Sequence, residues 1–140
     1  MVHITLFNRK NNIQKQIDKA TLDAIGRSQA VIEFAMDGTI LAANANFLNA
    51  MGYEAREIVG QHHRMFVAPG HDGADYETFW EGLRAGRFDA GEYKRIGKGG
   101  REVWIQASYN PVIGADGKPF KVVKFASDIT QAKLLTADSR

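Results

Sequence analysis

The sequence predicts an α+β domain: a five-stranded antiparallel sheet with short helices over one face, preceded by an N-terminal helix. Three observations carry this. Two short segments of alternating pattern flank the turn pair Asp37-Gly38, and three more follow after residue 87. Between the two groups lie short stretches with apolar residues three and four apart, each closed by a glycine. Runs of strands on either side of a helical insert call for antiparallel pairing. At 140 residues and 44% hydrophobic, the chain is long enough to bury one core without staples.

The elements follow in order. From Asn8 to Asp23 the chain is polar and basic, with Ile13, Ile17, Ala20 and Ala24 spaced four, three and four apart. That stripe is narrow, suited to a coiled-coil seam, and reads either as a pairing helix or as a solvated leader lying on the domain. Val31 to Met36 alternates as a strand, Asp37-Gly38 turns, and Thr39 to Ala42 is the partner strand. Asn44 or Asn46 caps a helix carrying Phe47, Leu48 and Met51, which Gly52 ends. A short helix over Glu54–Val59 follows, ended by Gly60. Gln61 to Gly73 reads as loop with one helical turn around His63–Phe66. Asp75 to Ala85 is a helix with Tyr76, Phe79, Trp80 and Leu83 on one face.

The last third is strand. Phe88 to Ile96 leads into the loop tip Gly97-Lys98-Gly99-Gly100. Glu102 to Val112 is a long strand, with Val103, Ile105, Ala107 and Tyr109 on one face and Trp104, Gln106, Ser108 and Asn110 on the other. Ala115-Asp116-Gly117 turns into the strand Phe120–Ala126. Asp128 with Gln131 three residues later has the pattern of a capping box opening a further helix.

Composition excludes several classes. There is no cysteine, so disulfides, thiolate metal sites, iron–sulfur clusters and thiol catalysis are all ruled out. Lys and Arg number 18 against 16 Asp and Glu, which gives no electrostatic drive toward nucleic acid. No apolar run approaches the roughly 20 residues of a membrane span, so no membrane insertion by this segment is expected. Ser28, Ser108 and Ser127 lie in no nucleophile-elbow pattern, and no carboxylate pairs with a nucleophile, so no enzymatic activity is expected. His62, His63 and His71 cluster within ten residues, but adjacent loop histidines seldom converge on one ion, and no metal site is expected.

Taken in order, Val31-Ile32-Glu33-Phe34, Asp37-Gly38-Thr39-Ile40, Ala43-Asn44-Ala45-Asn46-Phe47, Met51-Gly52-Tyr53 and Glu57-Ile58-Val59-Gly60-Gln61 resemble the first half of a PAS sensory domain. Glu92-Tyr93-Lys94-Arg95, Val103-Trp104-Ile105, Asn110-Pro111-Val112, Asp116-Gly117-Lys118-Pro119 and the D-I-T triplet Asp128-Ile129-Thr130 resemble the second. Single pieces are weak, but their order and spacing together are specific. The chain is similar in particular to the versions found in methyl-accepting chemotaxis proteins and aerotaxis receptors. The resemblance implies the PAS fold over residues 27–131, behind a leader or dimerisation helix at 1–26 and ahead of a linker helix starting at 132–140. It also implies a cytoplasmic signal-transduction module of a longer receptor. Such a module works as a homodimer, with its signalling domain further along the same chain.

The resemblance further implies a sensor of redox state, oxygen or a small ligand through a bound cofactor, with FAD favoured. Trp80 would stack on the flavin and Asn44 would bond its edge, while His63 or Arg64 would meet its ribityl or phosphate oxygens. Trp104 completes the set of candidate contacts. Asp89 stands where aerotaxis receptors often carry a second tryptophan. Haem held by His62, His63 or His71 is the alternative cofactor, and a cofactor-free interaction module the rival from another class. The absent cysteine also excludes cysteinyl-flavin photochemistry. Asp128, Ile129 and Thr130 are the expected signal-transfer residues. Each site residue has a plainer reading too: Trp80 lies on a core-type stripe, Asn44 at a helix cap, and Trp104 on a packed strand.

Overall fold

Ile32 and Phe34 are apolar while Val31 and Glu33 alternate with them, and in the computed structural model this segment is β1 (Ala30–Phe34), with Ile32 and Phe34 fully buried. The structure describes residues 2–138, with side chains from residue 5 to residue 136. β2 (Ile40–Ala43) pairs with β1, and β3 (Asp89–Ile96), β4 (Glu102–Ile113) and β5 (Pro119–Asp128) complete one sheet in the order β2-β1-β5-β4-β3. Every pairing is antiparallel. The expected fold is therefore observed, and β5 takes the central place between β1 and β4.

Three helices and a turn cover one face. α2 (Ala45–Met51) is capped by Asn44, whose Oδ1 accepts the Phe47 N–H at 3.0 Å. α3 (Ala55–Ile58) is short, a 3₁₀ turn occupies His63–Phe66, and α4 (Ala74–Arg84) is the longest of the group. They bury Phe47, Met51, Ile58, Phe66, Tyr76, Trp80 and Leu83 against Ile32, Phe34, Val103, Ile105, Tyr109 and Val122 of the sheet. Each such side chain contributes about 1.5–3 kcal/mol by leaving water. Gly38 and Gly97 are fixed by space. A Cβ on Gly38 would lie 2.4 Å from His62 Nε2, and one on Gly97 2.7 Å from the Met51 carbonyl oxygen.

α1 (Val2–Ser28) is longer than the stripe suggested, because nothing interrupts it before the Ser28–Gln29 junction with β1. Its Ile13 and Ile17 are 55% and 52% exposed, so the stripe is left unpacked by the domain itself. The stretch also is not detached. Asn44 Nδ2 donates to the Gly26 and Gln29 carbonyls at 3.0 and 2.9 Å, stitching the end of α1 to the domain.

α5 (Thr130–Asp138) begins differently from expectation. The sheet pairs Asp128 with Ile105, so Asp128 is the last strand residue and cannot open a capping box with Gln131. Its Oδ1 instead accepts the Thr130 N–H at 2.9 Å, an Asx-type bond that turns the strand into the helix.

Candidate functional site

The inner faces of β3, β4 and β5 carry polar groups into the aromatic core. On β4 the alternation that buries Val103, Ile105 and Ala107 also buries Tyr109, and on β5 the step from Val122 to Ala126 passes through Lys124. On β3 the same period turns Tyr93 and Arg95 inward, where the Arg95 guanidinium carbon lies 5.9 Å from the Tyr109 ring centroid. From the helical side, the 3₁₀ turn drives His63 into the centre, fully buried.

These residues form one chain of hydrogen bonds. His63 Nδ1 lies 2.8 Å from the Tyr76 hydroxyl, and His63 Nε2 lies 3.0 Å from the Tyr109 hydroxyl. Arg95 donates to that same Tyr109 oxygen from Nε at 3.3 Å and from Nη2 at 2.9 Å. With its oxygen accepting from Arg95, Tyr109 directs its own proton to His63 Nε2. That leaves Nδ1–H of the imidazole to donate to Tyr76. Around this chain the rings of Phe34, Phe79 and Trp80 stand edge-on to or stacked with His63, at centroid distances of 5.1, 6.2 and 5.6 Å.

The electrostatics are one-sided. Burial, reinforced by the charges of Lys124 and Arg95, holds the His63 pKa well below the ordinary histidine value, so the imidazole is neutral. Burial and Arg95 push Lys124 down in the same way. Lys124 Nζ rests 4.8 Å from the Tyr109 ring centroid and 5.7 Å from that of Phe47, and no ion pair among the described residues includes it. Burial raises the Tyr109 hydroxyl and pushes Tyr76 up to about 12. The indole N–H of Trp80, also buried, makes no well-formed hydrogen bond among the described residues, and the group it interacts with is the Tyr76 hydroxyl.

The network opens on a groove of about 310 Å³ between α4 and β3, lined by Val67, His71, Tyr76, Phe79, Tyr93 and Arg95 among others. A wider groove of about 720 Å³ lies on the other face of the sheet, between α1 and the outward residues Val31, Val123 and Phe125. The larger one holds none of the buried titratable groups, so the chemistry sits beside the smaller.

The five expected flavin contacts do not come together. His63 and Trp80 share the core. Arg64 is exposed on the 3₁₀ turn. Asn44 lies at the α1–β1–α2 junction. Its Oδ1 accepts from Val31 and Phe47 N–H and its Nδ2 donates to two carbonyls, which leaves no group for a flavin edge. Trp104 is on the outer face of β4, its ring under Lys133 of α5 at 5.0 Å. The set therefore does not fit one flavin site, and Asp89 is engaged by the Tyr93 hydroxyl.

The three clustered histidines also diverge. His62 Nε2 meets the Asp37 carbonyl at 2.8 Å and its Nδ1 accepts the Arg64 N–H at 3.0 Å, which ties the turn to the β1–β2 hairpin. Both ring nitrogens of His63 are taken by tyrosines, and His71 is exposed at the groove. Among the described residues no three His, Asp or Glu side chains gather where a metal ion could be held.

Tyr109, Arg95, Tyr76 and Lys124 join the site without having stood among its expected members. For Lys124 the signal is present in the sequence: a cation at the inward position between Val122 and Ala126 of an alternating strand.

Comparison with known proteins agrees with this architecture. The PAS fold family model matches residues 40–126. The biofilm dispersion protein BdlA of Pseudomonas aeruginosa is 50% identical over 113 residues, which are 80% of this chain and 27% of that protein. The chain thus spans well under a third of that relative. The crystal structure of a PAS domain from Colwellia psychrerythraea superposes with a TM-score of 0.70 at 23% identity, covering 85% of this chain and 98% of that one. A light-oxygen-voltage domain studied with a flavin analogue superposes with a TM-score of 0.67 at 20% identity, covering 89% and 95%. With a five-stranded antiparallel sheet, helices over one face and a family match spanning more than half its length, the chain belongs to the PAS-fold family.

Proposed function

We propose that this chain is the sensory module of a longer chemotaxis-type receptor, without catalytic turnover, in which the state of the Tyr76–His63–Tyr109–Arg95 network is relayed to α5. One observation carries the reading: β4 holds both ends of the connection. Tyr109 sits at one end of the network, and five residues earlier Trp104 is bonded on both sides to the D-I-T segment. The Trp104 N–H donates to Thr130 Oγ1 at 2.9 Å, and its carbonyl accepts the Ile129 N–H at 2.8 Å. A shift of β4 that accommodates a change at Tyr109 therefore moves the start of α5. A Thr130→Val chain, which loses one clamp, should exchange its α5 amides faster while β4 and β5 keep theirs. Unchanged exchange of α5 speaks against the relay.

The site supports a small ligand entering the α4–β3 groove better than a flavin. A flavin is the second reading, favoured by the buried N–H of Trp80, which makes no well-formed hydrogen bond, and by the kinship of fold with a light-oxygen-voltage domain. If one binds, His63 and Trp80 are the expected residues that hold it. Absorbance of protein purified without added cofactor decides: a flavin band in the blue supports FAD, a Soret band haem, and protein absorbance alone removes both.

The reading includes a cytoplasmic homodimer paired through α1, where Ile13 and Ile17 face outward. No helix among the described residues is long and apolar enough to cross a membrane. Sedimentation of an Ile13→Glu, Ile17→Glu chain should give a monomer where the unaltered chain gives a dimer. Equal sedimentation would remove α1 from the interface.

A further inference from the structure

We propose that the groove between α4 and β3 is a receptor site for a small aromatic carboxylate, whose anionic end is held by Arg95. The proposal rests on the reading of the chain as a ligand-responsive module and names the ligand's chemistry. Arg95 is half-buried and takes part in no ion pair among the described residues. Its Nε and Nη2 donate to Tyr109 and its Nη1 to the Lys94 carbonyl at 3.3 Å, using three of five N–H donors. The remaining two belong to a guanidinium lying 4.8 Å over the Tyr93 ring, so its plane is set before any ligand arrives. A rigid fork with two open donors on different terminal nitrogens matches a carboxylate.

Arg95 is the cation that faces the groove. Behind it lie Lys124, which burial pushes toward neutrality, and the neutral His63, and among the described residues neither faces a carboxylate within ion-pairing distance. On β3 itself Lys94 is paired with Glu102 at 3.4 Å, and Asp89 is engaged by the Tyr93 hydroxyl. From α4 the groove receives Asp75, which is exposed, and from the preceding loop His71. The rest of the lining is aromatic. Tyr76 and Phe79 lie nearly parallel at 6.3 Å, and Tyr93 closes the wall edge-on to Phe79 at 6.5 Å. A volume of about 310 Å³ is at the small end of ligand sites and suits a single ring with one acidic group.

Titration calorimetry of the chain with benzoate, benzamide and benzylamine presents one ring in anionic, neutral and cationic form. The expected result is saturable binding of benzoate at least about tenfold tighter than of benzamide, since two charge-assisted hydrogen bonds are at stake, and none of benzylamine. Arg95→Gln should weaken benzoate by a similar factor, and Arg95→Lys should restore part of it. Absence of saturable benzoate binding, or benzamide binding as tightly, overturns the proposal. The benzoate and benzamide arms use the unaltered chain, so they stand even if Arg95→Gln fails to fold. Binding of benzoate with no change in α5 exchange would leave this site intact and refute only the relay.

Discussion

His63 Nε2 and the Tyr109 hydroxyl meet at 3.0 Å in a region from which water is excluded, a buried polar contact between the helical layer and the sheet. One partner comes from a 3₁₀ turn and the other from β4, 46 residues apart in sequence. Both are fully buried, so neither can exchange its partner for water.

Tyr109→Phe removes the hydroxyl that serves His63 and Arg95 at once. The imidazole keeps Tyr76 but loses a partner on Nε2, and Arg95 loses two of its three acceptor contacts. Urea unfolding should show a loss of about 1–3 kcal/mol, the range for stranding buried polar groups. A loss no larger than that of a surface Tyr→Phe change would deny the network its structural role.

Acid should weaken the fold through His63. Its pKa is depressed in the folded state, so near neutral pH both states hold it uncharged and it contributes no penalty. As pH falls below the unfolded value of 6.5, the unfolded chain takes up a proton that the native core resists, and stability declines. Lys124 follows the same sign at higher pH: below the unfolded value of 10.5 the unfolded chain gains the proton more readily. Lys124→Met, which keeps the chain length and removes the charge, should raise stability by about 1–3 kcal/mol near neutral pH. Denaturation curves from roughly pH 10 to roughly pH 5 check both statements, with Lys124 acting over the upper part of the range and His63 below about pH 7. A flat profile in the unaltered chain would contradict the assignment of His63.

Asn44→Ala should act on architecture and leave the groove alone. The substitution deletes a helix cap and three further hydrogen bonds that hold α1, β1 and α2 together. A loss of about 2–3 kcal/mol follows from the cap and the stranded backbone groups. Faster amide exchange at the end of α1 should accompany it, with benzoate affinity unchanged. Altered affinity would place Asn44 nearer the ligand than its bonds do.

Much of the fold is readable from local pattern, and the reason is visible in β4. Val103, Ile105, Ala107 and Tyr109 alternate with residues of the opposite face, and burial follows that period along the strand. The Asp37-Gly38 and Asp116-Gly117 turns mark the hairpin tips for the same local reason. The site is less readable, because its partners come from five elements that only the tertiary fold assembles. Nothing near Tyr109 in sequence announces that Arg95 and His63 converge on its hydroxyl. Family resemblance conveys residue types in order but not which way they face. Trp104 is in place as a tryptophan yet packs under Lys133, and Asn44 is in place yet engaged by backbone groups. The helix after Asp128 starts one step later than the capping pattern suggests, because strand pairing claims Asp128 first.

Coupling of the core network to α5 through β4 is open to hydrogen exchange. Amides of residues 130–138 should be followed in the unaltered chain, in Tyr109→Phe, and in Ile40→Val, a control that weakens the core through β2 far from Trp104. After correction for global stability, Tyr109→Phe should change α5 exchange and Ile40→Val should not. Equal α5 exchange in the two substituted chains would contradict the coupling.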